Sequence, residues 1–212
     1  MSDTEPTDRL TLYADYVCPF CYLGKRSLER YRENREEPLE VEWHPFDLRS
    51  GKRNDDGSID HSADDGKDDD YYAQARENVR RLQEKYDVEM YQEIATEVDS
   101  LPAQIASWHV SRAHPERWAA FDAAIYEALW QDGRDIGDAD TLVALADDVD
   151  LPEGTIRNAL DDEELRTELE ERFTDAQQRG ITGVPTFVHD GYAARGAVPP
   201  AQLERLIEGT AD

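Results

Sequence analysis

The hydrophobic pattern near the start of the chain predicts two strands with a helix between them. Residues 10–17 form a mostly apolar run typical of a buried strand, whereas residues 39–46 alternate apolar and polar side chains, as a strand with one buried face does. Between them, apolar residues at helix spacing predict a helix that begins at Pro19 and ends before Pro38, since proline suits the first helical position. The chain therefore opens as a β-α-β unit.

The middle of the chain has a different pattern. Residues 49–70 are rich in glycine, aspartate, asparagine and serine, with almost no apolar residue, which predicts a solvated, mobile acidic loop. Residues 71–179 carry apolar side chains at helix spacing and are punctuated by prolines. We expect a block of helices there.

The chain returns to strands near its end. Thr186–His189 and Tyr192–Arg195 are short strand-like segments separated by an Asp-Gly pair, which is a hairpin turn signal. A last helix is expected from Pro199 to about Glu208. The full order is β-α-β, a helical block, then β-β-α, which belongs to the α/β class.

The candidate chemistry is concentrated where the first helix begins. Cys18-Pro19-Phe20-Cys21 contains the only two cysteines of the 212-residue chain. Residues three apart on a helix are neighbours at roughly 5–6 Å, within the Cα separation that a disulfide tolerates. The pair can close and reopen with little backbone movement, which points to thiol–disulfide exchange. Cys18 precedes the helix, where unpaired N–H groups favour an anion, so we expect Cys18 to attack and Cys21 to resolve.

A metal site is the main alternative use of two cysteines. A four-cysteine zinc site is impossible here, and only His109 and His114 of the five histidines approach ligand-like spacing. That pair runs into Pro115 and is a poor helical pairing. We therefore expect no metal ligand set. The chain also has no P-loop and no dinucleotide fingerprint, so no cofactor is expected.

Three segments of the chain together resemble a known family. They are DYVCPFCYLGKRSLE, DGRDIGDADTLVALA and GITGVPTFVHDGYAARGAVPP. They look like the DsbA-like family, most closely its cytoplasmic FrnE-type branch, and the resemblance covers nearly the whole chain. It implies a thioredoxin fold formed by residues 10–48 and 180–210, with an inserted all-helical domain at residues 71–179 and the acidic loop at residues 49–70.

The resemblance also implies roles for residues around the cysteines. In thioredoxin-like families, the proline that matches Pro185 is cis and packs against the C-x-x-C motif. The backbone of Val184 would then pair with an extended substrate segment, and Pro19 and Phe20 would border the same substrate. The residues alone favour an ordinary trans bond, because only about 5–6% of X–Pro bonds in folded proteins are cis.

The charge of the chain limits its partners. Asp and Glu number 49 against 23 Lys and Arg, for a net charge of −26. Such a surface repels phosphate backbones and anionic headgroups, so we expect neither a nucleic-acid nor a membrane partner. We interpret the excess as adaptation of a halophilic source to high salt, where screening suppresses self-repulsion. The polar start has no secretory pattern and no run is long enough to span a membrane, so a cytoplasmic location is expected.

Two other functions stay open at this point. One is an enzyme like glutathione transferase kappa or 2-hydroxychromene-2-carboxylate isomerase, a branch that activates bound glutathione and typically has serine where Cys18 stands. The other is a non-catalytic, chaperone-like module that binds extended peptides beside Pro185. For the main prediction the partner is a thiol- or disulfide-bearing protein or a small, glutathione-like thiol. The sequence predicts no oligomeric state.

Other side chains near the motif or in the helical block receive simpler predictions. Lys25 and Arg26 are expected to be solvated, and Asp15 and Tyr16 are weak candidates for lining the site. Four aromatic residues of the helical block are expected in the core: Trp108, Trp118, Phe121 and Trp130.

Overall fold

The computed structural model describes residues 8–54, 57–60, 62–63 and 66–209. The strands are β1 Asp8–Ala14, β2 Leu39–Pro45, β3 Thr186–His189 and β4 Tyr192–Arg195. The helices are α1 Pro19–Glu33, α2 Asp69–Tyr86, α3 Leu101–Ala113, α4 Pro115–Trp130, α5 Ala139–Asp148, α6 Thr155–Leu160, α7 Glu163–Gln178 and α8 Pro200–Glu208. Most of the polar start of the chain, on which the expectation about secretion rests, lies outside the described residues.

The strands form one mixed sheet in the order β2-β1-β3-β4. β1 and β2 are parallel, and the other two pairings are antiparallel. The parallel pair needs a crossover, which α1 supplies. The β3–β4 hairpin turns at Asp190 and Gly191, whose φ values are 47° and 83°. Two positive φ values are the turn geometry that an Asp-Gly pair favours. The predicted order of strands and helices is confirmed.

The two faces of the sheet pack against different helices. On β1, Leu10, Leu12 and Ala14 belong to the main hydrophobic cluster, which includes residues of α1 and α8. Tyr13 points to the opposite face and packs with Ala176 of α7. This alternation follows from the two-residue period of a strand. The sheet is therefore covered on both faces, by α1 and α8 on one face and by α7 on the other.

The helices between β2 and β3 pack on one another and on α1. α3 contacts α4, α6 and α7, and α1 contacts both α2 and α4. One hydrophobic cluster extends from the sheet into these helices and includes Phe121 and Trp130, both 0% exposed. The boundaries expected for an inserted domain, residues 71–179, stay a prediction; α7, which lies within them, contacts β2. No described helix has the length and apolarity of a membrane span.

Several acidic side chains have a structural use at helix starts. Asp68, Asp138 and Asp162 each accept a backbone N–H at the start of α2, α5 and α7 respectively. A cap of this kind stabilises a helix by about 1 kcal/mol, and the negative charge also interacts favourably with the helix dipole. Part of the acidic excess therefore supports folding.

The acidic segment of residues 49–70 is anchored by Arg53. Its side chain, only 12% exposed, pairs with Asp47 at 2.6 Å and with Asp99 at 2.8 Å. These pairs join the segment that follows β2 to the residues just before α3. The expectation of a solvated loop is wrong at Arg53, because local composition does not show which distant carboxylates an arginine will meet.

Candidate functional site

Cys18 lies at the junction of β1 and α1. After Ala14 the chain turns, and the N–H of Cys18 donates to the carbonyl of Asp15 at 3.2 Å. The first strand consequently ends three residues earlier than predicted. Cys18 is the N-cap of α1, and its Sγ accepts the N–H of Cys21 at 3.3 Å. Pro19 occupies the first turn, as predicted. The sulfur therefore receives a backbone donor at the end of the helix where negative charge is stabilised.

The two sulfurs differ in their access to solvent. Cys18 is 3% exposed and lines a cavity, whereas Cys21 is 0% exposed and does not. Burial, followed by the neighbouring Cys18, raises the pKa of the Cys21 thiol well above its usual range. Both residues are free thiols here. A molecule that enters the cavity would meet Cys18 first.

The loop before β3 brings Val184 and Pro185 to Cys18. The bond between Val184 and Pro185 is cis, as the resemblance implies. The Cys18 thiol donates to the Val184 carbonyl at 3.5 Å. Within the described part of the chain, the N–H of Val184 makes no hydrogen bond. The Val184 carbonyl therefore lies next to the Cys18 sulfur, on a residue whose N–H is not used by the described part of the chain.

A glycine in α1 permits this close approach of helix and loop. A Cβ built on Gly24 would lie 3.2 Å from Cγ of Pro185 and 3.3 Å from Cζ of Phe187. Both distances are shorter than ordinary carbon contacts, which are about 3.5–4.0 Å. A methyl group would have to push α1 away from the loop that carries Pro185.

We expect Gly24→Ala to destabilise the protein by about 1 kcal/mol. Overpacking lowers the free energy of unfolding by about 1–3 kcal/mol. The higher helix propensity of alanine relative to glycine raises it by at most about 1 kcal/mol. Gly51→Ala is the control, because a Cβ there meets nothing within 4 Å. Urea unfolding measures both variants; a Gly24→Ala protein as stable as the wild type would show that the contact is not tight.

The cavity beside Cys18 has a volume of about 130 Å³. Its walls come from the start of α1, the segment after β2, the start of α2 and residues 94–96. Pro19 and Phe20 line it, together with Leu48 and Tyr71, which are 37% and 50% exposed. The mouth of the cavity is therefore rimmed by apolar surface that a bound molecule could cover.

Polar side chains connect α1 and the turn before it with α3 and α4. The Tyr16 hydroxyl donates to Oδ1 of Asp122 at 2.7 Å and lies 2.6 Å from Oγ of Ser107. Oδ2 of Asp122 pairs with Lys25. The expectation that Lys25 is solvated is wrong, since only 16% of its side chain is exposed. It is covered because α4 packs on that part of α1, which no local pattern reveals.

Asp15 is fully buried behind the motif and does not line the cavity. Its carboxylate accepts the N–H of Val17 at 3.2 Å and the N–H of Leu48 at 2.8 Å. These bonds tie the end of β1 to the segment that forms one cavity wall. Burial, followed by the charge of Asp47, raises the pKa of Asp15 to about 6. Asp15 therefore holds a cavity wall in place without lining the cavity itself.

Asp15 should lower the stability of the protein as pH rises from about 4 to about 7. Its pKa is raised from 3.8 to about 6 on folding, so the folded state binds the proton more tightly and loses stability as pH rises through this window. Two pKa units correspond to about 3 kcal/mol. The free energy of unfolding would be measured for Asp15→Asn and for wild type across this pH range. The difference between the two is the informative quantity, because the contributions of the other carboxylates cancel in it. The variant should gain relative to wild type as pH rises; a pH-independent difference would contradict the raised pKa.

The described residues contain no group of three or more His, Cys, Asp or Glu side chains placed to hold a metal ion. His109 and His114 meet edge to face, with ring centroids 6.4 Å apart. The candidate site thus consists of two thiols, backbone groups and a cavity.

Known proteins are similar to this chain over nearly its whole length. YwbO of Bacillus subtilis strain 168, described as uncharacterized, is 27% identical over 202 residues, which cover 95% of this chain and 96% of that protein. A structure from Nitrosomonas europaea, described as a protein disulfide isomerase, has a TM-score of 0.74 at 22% identity and covers 95% and 96% of the two chains. One from Streptomyces coelicolor, described as a DsbA oxidoreductase, has a TM-score of 0.74 at 25% identity and covers 93% and 87%.

Other solved structures share the fold at lower identity. A 2-hydroxychromene-2-carboxylate isomerase has a TM-score of 0.72 at 17% identity and covers 92% of each chain. The cytosolic disulfide reductase DsbM from Pseudomonas aeruginosa, solved with GSH, has a TM-score of 0.63 at 19% identity and covers 95% and 93%. These two likenesses concern the fold alone.

The comparison of the sequence with models of protein families identifies the family. The DSBA-like thioredoxin domain matches residues 9–208, which include both cysteines and the Val184–Pro185 loop. The thioredoxin fold predicted from the sequence is confirmed by this match together with the observed sheet and its flanking helices. The chain belongs to the DSBA-like thioredoxin domain family.

Proposed function

We propose that this protein is a thiol–disulfide oxidoreductase that works through a reversible Cys18–Cys21 disulfide. One observation carries the proposal: the Cys18 sulfur lines a cavity, accepts the N–H of Cys21 and lies 3.5 Å from the Val184 carbonyl. Cys21, one helical turn along and fully buried, has the position of a resolving thiol. Membership of the family supports thiol–disulfide chemistry in general.

The proposed reaction has two exchange steps. The Cys18 thiolate attacks a substrate disulfide, so that one substrate sulfur becomes bonded to Cys18 and the other leaves as a thiolate. Cys21 then loses its proton and attacks Cys18, which forms the Cys18–Cys21 bond and releases the second substrate thiolate. The reverse sequence would transfer the disulfide to a dithiol. The reduction potential of the pair relative to its partners decides which direction prevails.

An extended substrate segment is proposed to pair with the backbone of Val184. The N–H of Val184 makes no hydrogen bond to any described residue, and its carbonyl lies beside the cavity sulfur. Pro19 and Phe20 line the same cavity, and Leu48 contributes exposed apolar surface at its mouth. We assign these side chains to contacts with residues that flank the substrate disulfide.

A small thiol is the second class of partner in this proposal. Arg49 and Lys67 line the cavity of a chain whose net charge is −26, so a thiol that carries carboxylates would meet positive groups there. The DsbM structure solved with GSH supports a glutathione-like thiol in this role. The description of DsbM as cytosolic likewise supports a cytoplasmic location. Assignment to the FrnE-type branch is part of the same proposal.

Two other functions have specific observations in their favour. The likeness to 2-hydroxychromene-2-carboxylate isomerase supports a glutathione-dependent isomerase, although the resemblance associates that branch with serine at the position of Cys18. The exposed surface of Leu48 and Tyr71 beside the cavity supports a peptide-binding, chaperone-like module. The presence of both cysteines favours the oxidoreductase over either alternative.

Turnover of a disulfide-bonded peptide in glutathione buffer tests the proposed function. We expect the protein at catalytic concentration to accelerate reduction of the peptide above the rate with glutathione alone. We expect no isomerisation of 2-hydroxychromene-2-carboxylate. The opposite pair of results would identify the isomerase. Neither activity, together with suppressed aggregation of an unfolded client protein, would identify the chaperone-like module.

A further inference from the structure

The cavity beside Cys18 differs in charge from the chain as a whole. Asp and Glu outnumber Lys and Arg by 49 to 23. Among the described residues, however, the cavity is lined by Arg49 and Lys67 and by no carboxylate side chain. An anionic group that enters this cavity would therefore meet positive charge. Neither cation takes part in the two exchange steps proposed above.

Hydrogen bonds of Asp15 hold Arg49 close to the start of α1. One oxygen of the Asp15 carboxylate accepts the N–H of Val17 at 3.2 Å, and the other accepts the N–H of Leu48 at 2.8 Å. Val17 directly precedes Cys18, and Leu48 directly precedes Arg49. The backbone segments that carry the two cavity residues are therefore joined through a single buried carboxylate.

The guanidinium group of Arg49 is only partly used by the described part of the chain. Its Nη2 donates to the carbonyl of Ala95 at 2.5 Å, and Ala95 belongs to the same cavity wall. Its Nε is buried and has no hydrogen-bond partner. Its Nη1 makes no hydrogen bond to a described residue and is not a buried atom. The group is thus fixed at one nitrogen and free to donate from another.

The carboxylate nearest to Arg49 in the sequence does not pair with its guanidinium group. Asp47 accepts the backbone N–H of Arg49 at 2.8 Å, while the Asp47 side chain pairs with Arg53 at 2.6 Å. Within the described residues, Arg49 consequently has no ion pair, although the chain is rich in carboxylates. Buried polar groups are nearly always satisfied. A partly buried guanidinium of this kind calls for a partner outside the chain.

We propose that Arg49 pairs with a carboxylate that flanks the substrate disulfide, so that the protein selects disulfides in acidic peptide segments. This inference rests on the proposed oxidoreductase function and names a substrate class for it. A guanidinium can donate two hydrogen bonds to one carboxylate. The bond to the Ala95 carbonyl holds Arg49 in place before substrate arrives, so less freedom is lost on binding.

The size of the cavity favours a peptide side chain as the source of this carboxylate. Arg49 and Cys18 line the same cavity of about 130 Å³, so a side chain next to the substrate cysteine can reach the guanidinium group. Pockets that enclose a whole small molecule usually measure about 300–1,000 Å³. The rest of the peptide would lie across the mouth and cover the exposed surface of Leu48 and Tyr71.

Three disulfide-bonded peptides that differ only in the residues beside their cysteines test the proposal. These residues are Glu, Gln or Lys, and the reductant is dithiothreitol, which carries no charge. After subtraction of the uncatalysed rate, wild type should reduce the Glu peptide with a kcat/KM about tenfold above that for the Gln peptide, as a hydrogen bond between charged groups provides. The Lys peptide should be the slowest.

Arg49→Gln should lose the preference for the Glu peptide. The preference is a ratio of two rates for one protein sample, so any loss of folded protein in the variant cancels. A preference that persists in Arg49→Gln would overturn the proposal. With glutathione as the reductant, an equal fall for all three peptides in Arg49→Gln would place the carboxylate on the small thiol instead, and would also overturn it.

Arg26→Gln is the matched control, because it removes the same charge from α1. The Arg26 side chain is 41% exposed and does not line the cavity, so this variant should keep the full preference. An equal loss in both variants would attribute the preference to the general charge of the protein rather than to Arg49. If wild type reduces all three peptides equally, only this inference fails. If wild type reduces none of them, the oxidoreductase function fails as well.

Discussion

Replacing Cys18 by serine is expected to abolish disulfide exchange, with a loss of roughly a thousandfold or more, as removal of a nucleophile typically causes. Of the two sulfurs, only that of Cys18 lines the cavity. A serine hydroxyl cannot replace it, because the thiolate is the attacking species in this chemistry. The measurement is turnover of the disulfide peptide in glutathione buffer.

Cys21→Ser is the complementary variant and should behave differently. Cys18 keeps its place at the start of α1, so it should still attack, but the mixed disulfide with substrate should accumulate because no second thiol can displace it. Mass spectrometry of the quenched reaction detects the adduct. If the adduct instead accumulates on Cys21 in Cys18→Ser at the same rate, the assignment of the two roles is wrong.

Molar potassium chloride is expected to raise the melting temperature by roughly 6–12 °C, if screening contributes about 3 kcal/mol to a chain of this size. The net charge of −26 opposes compaction, and at 1 M salt the Debye length is only about 3 Å. Salt also weakens exposed pairs such as Arg9–Glu40 and Arg112–Glu168. Each of these contributes at most about 1 kcal/mol, so relief of the excess repulsion should dominate.

The control for this experiment is a nonionic osmolyte at matched osmolality. Osmolytes stabilise proteins by exclusion from the surface rather than by screening, so a smaller rise is expected with the osmolyte than with the salt. Equal melting temperatures at low and molar salt would reject adaptation to a saline environment and leave most of the acidic excess unexplained.

The features that local chemistry determines could be predicted from the sequence. Pro19 indicates where α1 begins, and the Asp-Gly pair indicates the β3–β4 hairpin, since each depends on the backbone preferences of one or two residues. The alternation of residues 39–46 similarly predicts β2. The position of Cys18 at the start of α1 follows from these local signals together with the motif itself.

The features that depend on contacts between distant elements could not be predicted. Lys25 was expected to be solvated, yet it meets Asp122 because α4 covers part of α1. Arg53 was placed in a solvated loop, yet it pairs with Asp99 near the start of α3. In each case the relative placement of helices decides the environment, and helix spacing alone does not encode it.

The equilibrium of the two thiols in glutathione redox buffers tests the central claim most directly. The protein would be equilibrated across a series of reduced-to-oxidised ratios, quenched with acid and weighed by mass spectrometry with peptide mapping. The account predicts one transition between the dithiol and an intramolecular Cys18–Cys21 disulfide, with the two-electron dependence of such a couple. If the only oxidised species are glutathione adducts of the separate cysteines, the reversible Cys18–Cys21 disulfide does not form and the account is contradicted.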